Sequence, residues 1–119
     1  MKREHDQHKR QIRLGILACL LVFLAGCGPQ SRTAIYQIDG PAGSAALVRY
    51  RVPGGAEQQE SVTLPWSRQV NFTNGQQLEV VADNTTRAGN ITCSIVIEGQ
   101  ADPVVRAEDI DQAACRATP

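Results

Sequence analysis

Two histidines and a small group of acidic residues are the side chains from which catalytic chemistry could be built. His5 and His8 both lie in the first thirteen residues, and no histidine follows them. The rest of the chain therefore cannot form a Ser-His-Asp or Cys-His nucleophile or a histidine metal site. Glu108, Asp109 and Asp111 cluster in a way that is typical of a solvated turn, and the tight glycine turn that a calcium loop needs does not follow them. We expect no enzymatic activity, no metal and no cofactor.

Cys27 follows a short apolar segment whose length and flanks indicate export. A polar, basic stretch over residues 1–13 precedes an apolar run of 12 residues, 14–25. A membrane-spanning helix needs about 20 apolar residues, whereas the apolar part of a signal peptide has about 7–15. The ending LAGC, residues 24–27, resembles the lipobox of bacterial lipoproteins, which implies cleavage before Cys27 and lipid on its sulfur and its amine. The alternative is a signal anchor that stays in the membrane and leaves Cys27 as an ordinary thiol.

Both interpretations place the remaining chain on the extracytoplasmic face of the cell membrane. Without residues 1–26 it has 93 residues, which suits one small domain. This part has seven arginines, no lysine and ten carboxylates, so its net charge is −3. Nucleic-acid binding requires clustered positive charge, so we expect no nucleic-acid partner. Membrane contact should come from the lipid on Cys27.

Besides Cys27, the exported part has two cysteines, Cys93 and Cys115. In an oxidising compartment, a cysteine pair in a small domain predicts a disulfide. The bond would close a loop of about 23 residues and stabilise the domain by roughly 3 kcal/mol on the chain-entropy model. The alternative is two unrelated thiols.

Alternation of apolar and polar residues predicts β-strands along the whole exported part. The clearest strand is 91–98, and a turn at 98–100 leads from it into a further extended segment at 104–106. Earlier strands are expected at 34–39, 46–52, 57–64, 69–73 and 78–82. Pro53-Gly54-Gly55 should form a hairpin tip. Asn74-Gly75 predicts a second hairpin between the last two of these strands, because both residues tolerate positive φ. The segment from Ala107 to Cys115 is compatible with a helical turn or, if Cys115 is bonded to Cys93, with an extended strand.

Six or seven short strands separated by turn residues predict an all-β fold, a small immunoglobulin-like β-sandwich with one disulfide. The predicted organisation is a lipoprotein signal peptide over residues 1–26, a lipidated tether over 27–33 and the sandwich domain over 34–119.

Several stretches of this domain match the motifs of a known family. SVTLPWSR, residues 61–68, and GNITCSIVIEG, residues 89–99, resemble the V-x-LPWS-K/R segment and the ITC strand with its following turn in the MmpS family of small mycobacterial membrane proteins. Ala114-Cys115 is similar to its closing cysteine. The pair YQIDG and ALVRY, residues 36–40 and 46–50, is similar to its N-terminal part. The resemblance spans about residues 36–115.

The resemblance implies a membrane-anchored β-sandwich that assists a large transporter of the resistance-nodulation-division (RND) type, the MmpL partner, in exporting lipids or siderophores. Two features differ from the family pattern. A lipobox stands where members usually have a transmembrane helix, and Glu108-Asp109-Ile110-Asp111 stands where they have a Gly-x-Tyr-rich stretch. A stand-alone cell-envelope lipoprotein with a structural or small-ligand-binding role is the alternative.

Leu64, Pro65 and Trp66 are the candidate partner-binding residues. Pro65 cannot donate to a β-ladder and therefore marks an edge, a bulge or a corner between strands. Trp66 is the single tryptophan of the chain. It could fill the end of the sandwich, as core aromatic residues do, or offer apolar area to a partner, where tryptophan is enriched.

Overall fold

Eight β-strands form the domain in a computed structural model that describes residues 30–119. The predicted signal peptide and Cys27 lie outside the described residues. In chain order the strands are β1 Arg32–Asp39, β2 Ala45–Arg51, β3 Glu57–Thr63, β4 Trp66–Phe72, β5 Leu78–Asn84, β6 Ile91–Ile97, β7 Val105–Asp109 and β8 Gln112–Ala117.

The strands form two four-stranded antiparallel sheets that pack face to face. The β1 sheet has the order β4-β1-β6-β7, and the β2 sheet has the order β3-β2-β5-β8. The predicted all-β sandwich is therefore confirmed, with eight strands instead of six or seven. Residues 30–119 contain no helix that is long and apolar enough to cross a membrane.

Alternation places one apolar face of each sheet in a shared core. In β6, Ile91, Cys93, Ile95 and Ile97 are all fully buried. The alternating residues Ala46, Val48 and Tyr50 of β2, and Leu78, Val80 and Ala82 of β5, cover them from the other sheet. Successive side chains of a strand point to opposite faces, so this pattern fixes which face of each sheet is buried.

The Asn74-Gly75 hairpin prediction is wrong. β4 pairs with β1, and β5 pairs with β2 and β8, so residues 73–77 carry the chain from one sheet to the other. A two-residue hairpin turn of the favoured type I′ needs positive φ at both central residues. Here Gly75 has φ 91°, whereas Asn74 does not have a positive φ. The turn is closed by Gln76 N–H donating to Thr73 O at 3.1 Å.

The other predicted turn is present, and the C-terminal segment is extended. Pro53-Gly54-Gly55 does form the predicted hairpin tip between β2 and β3, and Gly54 adopts φ 74° there. The segment after Ala107 is extended, not helical: β7 and β8 are joined by Ile110-Asp111. The first strand begins at Arg32, two residues before the predicted start.

Candidate functional site

One side of the sandwich is covered, and the opposite side is open. On the covered side β7 packs alongside β8, and the Cys93–Cys115 disulfide joins β6 to β8. The two Cα atoms are 6.0 Å apart, within the range that a disulfide requires, and both cysteines are fully buried. The predicted disulfide is confirmed, and it links the two sheets covalently. The open side is bordered by the edge strands β3 and β4.

Leu64 and Pro65 connect these two edge strands. Leu64 belongs to the core, with 2% of its surface exposed, and its N–H donates to the carbonyl oxygen of Ser44 at 2.8 Å. Its side chain occupies space above Gly40, where an added Cβ would lie 2.9 Å from Leu64 Cδ1. Pro65 is exposed and follows a cis peptide bond. Of the three predicted partner-binding residues, Leu64 thus presents little accessible surface, while Pro65 presents much more.

Trp66 is half-buried and connects the two sheets across the open side. Its ring packs against Tyr50 of the β2 sheet, with centroids 5.5 Å apart, and its Nε1–H donates to Glu60 Oε1 at 2.8 Å. Arg68 Nη2 donates to both carboxylate oxygens of Glu60 at 3.2 Å, and its guanidinium lies over the Tyr50 ring. We call Tyr50, Glu60, Trp66 and Arg68 the edge cluster.

The contacts of Trp66 bear on both interpretations of this residue, as a core aromatic and as a contact for a partner. Its ring packs against the core, as the core interpretation requires. Part of its surface remains accessible beside Pro65, so its contact with a partner stays a prediction. Glu60, which accepts its hydrogen bond, and Arg68, which pairs with Glu60, are both partly exposed.

A polar groove of about 310 Å³ lies next to the edge cluster. Gln37, Asp39, Pro65, Trp66 and Ser67 line it. The side-chain oxygen Oε1 of Gln37 accepts a 3.2 Å hydrogen bond from the Ser94 hydroxyl, which orients the side-chain amide. Carboxylate, amide and hydroxyl groups together suit a hydrophilic ligand better than an acyl chain.

The acidic cluster at the β7–β8 turn is engaged in local contacts. Glu108 accepts a hydrogen bond from Asn90 Nδ2, Asp109 Oδ1 accepts one from the Asp111 N–H, and Asp111 pairs with Arg87. The three acidic side chains are exposed. Within residues 30–119, no group of three or more His, Cys, Asp or Glu side chains is arranged to hold a metal ion.

Two buried polar residues have structural roles that the sequence analysis did not identify. Asn84, at the end of β5, donates from Nδ2 to the carbonyl oxygens of Gly89 and Ile110, both at 2.7 Å. Tyr36 crosses the core, and its hydroxyl contacts the backbone of β2 and β5. Burial raises the pKa of the Tyr36 hydroxyl above its usual value. An asparagine immediately before a polar loop, as in Asn84-Thr85-Thr86, is the signal that could have indicated the first of these roles.

The described part of the chain is thus a disulfide-bonded β-sandwich with one open side. A family model described as "Mycobacterium membrane protein" matches residues 29–118, nearly all of the described domain. The chain belongs to this family, which is the MmpS-type family that the sequence motifs indicated. No curated protein matches the sequence at a significant level.

Proposed function

We propose that this protein is an extracytoplasmic, lipid-anchored accessory subunit of a large RND-type transporter that exports lipids or siderophores. Family membership over residues 29–118 carries the proposal. The residue inventory supports it, because a domain without histidine or lysine has few groups for acid–base or nucleophilic chemistry. We propose accordingly that the protein is not an enzyme and works by contact.

The position of Trp66 relative to the chain entry supports a contact role away from the membrane. Arg32 begins β1 and pairs with Phe72, whereas Trp66 pairs with Ile38 at the other end of β1. A strand rises about 3.3 Å per residue, so Trp66 lies roughly 20 Å from the entry end. If Cys27 carries lipid, only four residues, 28–31, separate it from β1. Trp66 would then face the extramembrane part of a transporter.

Cross-linking in intact envelopes followed by affinity purification of the tagged full chain tests the proposal. We expect a large multi-pass transporter among the cross-linked partners of the wild type and a reduced yield with Trp66→Ala. Trp66→Phe, which keeps an aromatic ring against Tyr50, is the matched control. Both variants must first show the disulfide and a cooperative unfolding transition. Absence of any such transporter from the wild-type sample would contradict the proposed function.

The groove beside Trp66 favours a second candidate, a stand-alone envelope lipoprotein that binds a small ligand. Its volume of about 310 Å³ is at the lower end of the range typical of ligand sites. Its polar lining predicts a hydrophilic ligand. Asp39→Ala should then abolish ligand binding, and no transporter should be recovered with the wild type.

A further inference from the structure

We propose that the partner docks by adding an extended segment to the free edge of β3, with a basic side chain opposite Glu57. This inference rests on the proposed accessory function and specifies the surface that would perform it. Strand addition supplies affinity through main-chain hydrogen bonds and specificity through alternate side chains. The geometry of β3 provides both.

Hydrogen-bond register identifies which backbone groups of β3 are free. Leu64 N–H donates to Ser44 O at 2.8 Å, so the position that directly continues the β2–β3 ladder beyond the pair Ala45–Thr63 is a hydrogen-bonded one. Such pairs alternate with non-hydrogen-bonded pairs in an antiparallel ladder. The pair Ala45–Thr63 is therefore non-bonded, and every second residue back along β3 shares that state. These residues, which we call the edge quartet, are Glu57, Gln59, Ser61 and Thr63.

The contacts of Ala45 support this assignment independently. Its N–H donates to Thr86 Oγ1 at 2.7 Å, and its carbonyl oxygen accepts from Thr85 Oγ1 at 2.9 Å. Both backbone groups of Ala45 thus point away from Thr63. The N–H and C=O groups of the edge quartet accordingly point away from β2, toward the free edge of the sheet. All four residues are exposed.

The other strand edges offer less. The edge of β4 can be assigned in the same way. Glu98 N–H donates to Thr33 O, so residue 33 of β1 bonds toward β6, and the backbone groups of residues 34, 36 and 38 bond toward β4. This leaves three outward-pointing positions, Ser67, Gln69 and Asn71, next to Pro65, which has no donor. At the opposite side β7 packs alongside β8, and the disulfide holds β8 against β6. Both edge strands have seven residues, but β3 offers four outward-pointing positions and β4 three.

Charge defines the chemistry of the incoming segment. β3, EQQESVT, has two glutamates and no basic residue. Glu60 is paired with Arg68. The register partner of Glu57 in β2 is Arg51, but the two side chains form no ion pair within residues 30–119. A lysine or arginine opposite Glu57 on the added strand would give this carboxylate a cross-strand partner of opposite charge on its free side. On the inner face, apolar side chains of the segment would cover the half-buried Val62 and the accessible part of Trp66.

Site-specific photocross-linking tests the position of the interface in the full chain in its membrane. A benzophenone amino acid replaces Gln59 in one variant and Arg106, exposed on β7, in the control. We expect a covalent adduct with the co-expressed RND-type transporter at Gln59 and none at Arg106. An adduct with the transporter at Arg106 but not at Gln59 would overturn the inference while the proposed function stands. An adduct with a second copy of this chain at Gln59 would overturn it as well.

Proline substitution tests the strand-addition geometry. Ser61→Pro removes an outward N–H and leaves the β2–β3 ladder intact, since proline is tolerated on edge strands where its nitrogen faces solvent. We expect about a tenfold loss of transporter recovery, the equivalent of one hydrogen bond of about 1.4 kcal/mol. Ser61→Thr keeps the N–H and should retain recovery. Equal recovery from folded Ser61→Pro and Ser61→Thr proteins would contradict strand addition.

Charge reversal gives a readout that does not depend on tolerance of the proline. Glu57→Lys should lower transporter recovery, whereas Glu57→Gln should lower it less. Unchanged recovery with Glu57→Lys would contradict a basic side chain opposite this position. If no transporter is recovered with any variant or with the wild type, the accessory function itself fails, and this result is distinct from the loss confined to β3 variants.

Discussion

The Tyr36 hydroxyl donates a 2.7 Å hydrogen bond to the carbonyl oxygen of Arg51, a residue of the opposite sheet. The hydroxyl oxygen of Tyr36 in turn accepts a 3.1 Å hydrogen bond from the N–H of Glu79. Ala46 pairs with Asn84 and Tyr50 with Val80, so Arg51 and Glu79 would be the next pair of the β2–β5 ladder. The phenol oxygen bridges these two groups at the point where the ladder ends. A side chain of the β1 sheet therefore completes the hydrogen bonding of the β2 sheet.

Tyr36→Phe should destabilise the domain by about 1–3 kcal/mol, because it keeps the ring but leaves a buried donor and acceptor without their partner. Denaturant unfolding of wild type and variant measures the difference. Equal stability would mean that Arg51 and Glu79 pair directly once the hydroxyl is removed.

Alkaline pH should destabilise the wild type through the same residue. Burial raises the pKa of Tyr36 in the folded state, whereas tyrosine in the unfolded chain ionises near its usual pKa of about 10. Above that pH the unfolded state holds fewer protons than the folded state, so the free energy of unfolding falls as pH rises. The contribution is fully present below about pH 10 and is lost as the pH passes through the raised pKa. Tyr36→Phe should show a shallower alkaline decline.

Loss of the disulfide should cost roughly 2–5 kcal/mol, as is typical of small secreted domains. Cys115→Ser removes the covalent link between the sheets and places a hydroxyl at a fully buried site. The double variant Cys93→Ala/Cys115→Ala avoids both a lone thiol and a buried hydroxyl and is the matched comparison. Unfolding of oxidised and reduced wild type provides a check without mutation, and identical transitions would contradict the prediction.

Asn84→Asp should destabilise the domain by about 1–3 kcal/mol or more, since it replaces an N–H donor with an oxygen facing two carbonyl oxygens at 2.7 Å. Asn71→Asp is the control, because Asn71 is exposed and only its oxygen is used, as acceptor from Thr33. Thermal unfolding of both variants measures the loss of stability in each. A similar loss in both would show that Asn84 has no special role in joining the β5–β6 loop to the β7–β8 turn.

Cys27→Ser should prevent lipidation and leave an uncleaved or soluble form of the protein. Membrane fractionation and electrophoretic mobility measure this outcome. Unchanged partition and mobility would contradict the lipobox interpretation and favour a retained signal anchor.

Much of the fold could be predicted because alternation is a local signal. The strand 91–97 and the turn at Pro53-Gly54-Gly55 depend on neighbouring residues alone, and both were predicted correctly. Sheet membership is not local: Asn74-Gly75 has the residues of a hairpin, but burial of the faces of β4 and β5 places them in different sheets. The hydrogen bonds of Tyr36 to Arg51 and Glu79, and that of Asn84 to Ile110, join residues at sequence distances that no spacing indicates. The edge cluster likewise depends on how the open side of the sandwich is formed.

The disulfide also determines how the domain would respond to a protease. The loop of residues 98–104 between β6 and β7 is exposed along its whole length. A single cut in this loop falls between Cys93 and Cys115, so the fragment that carries β7 and β8 would stay covalently attached to the rest. The nicked protein would run as one band without reducing agent and as two bands after reduction.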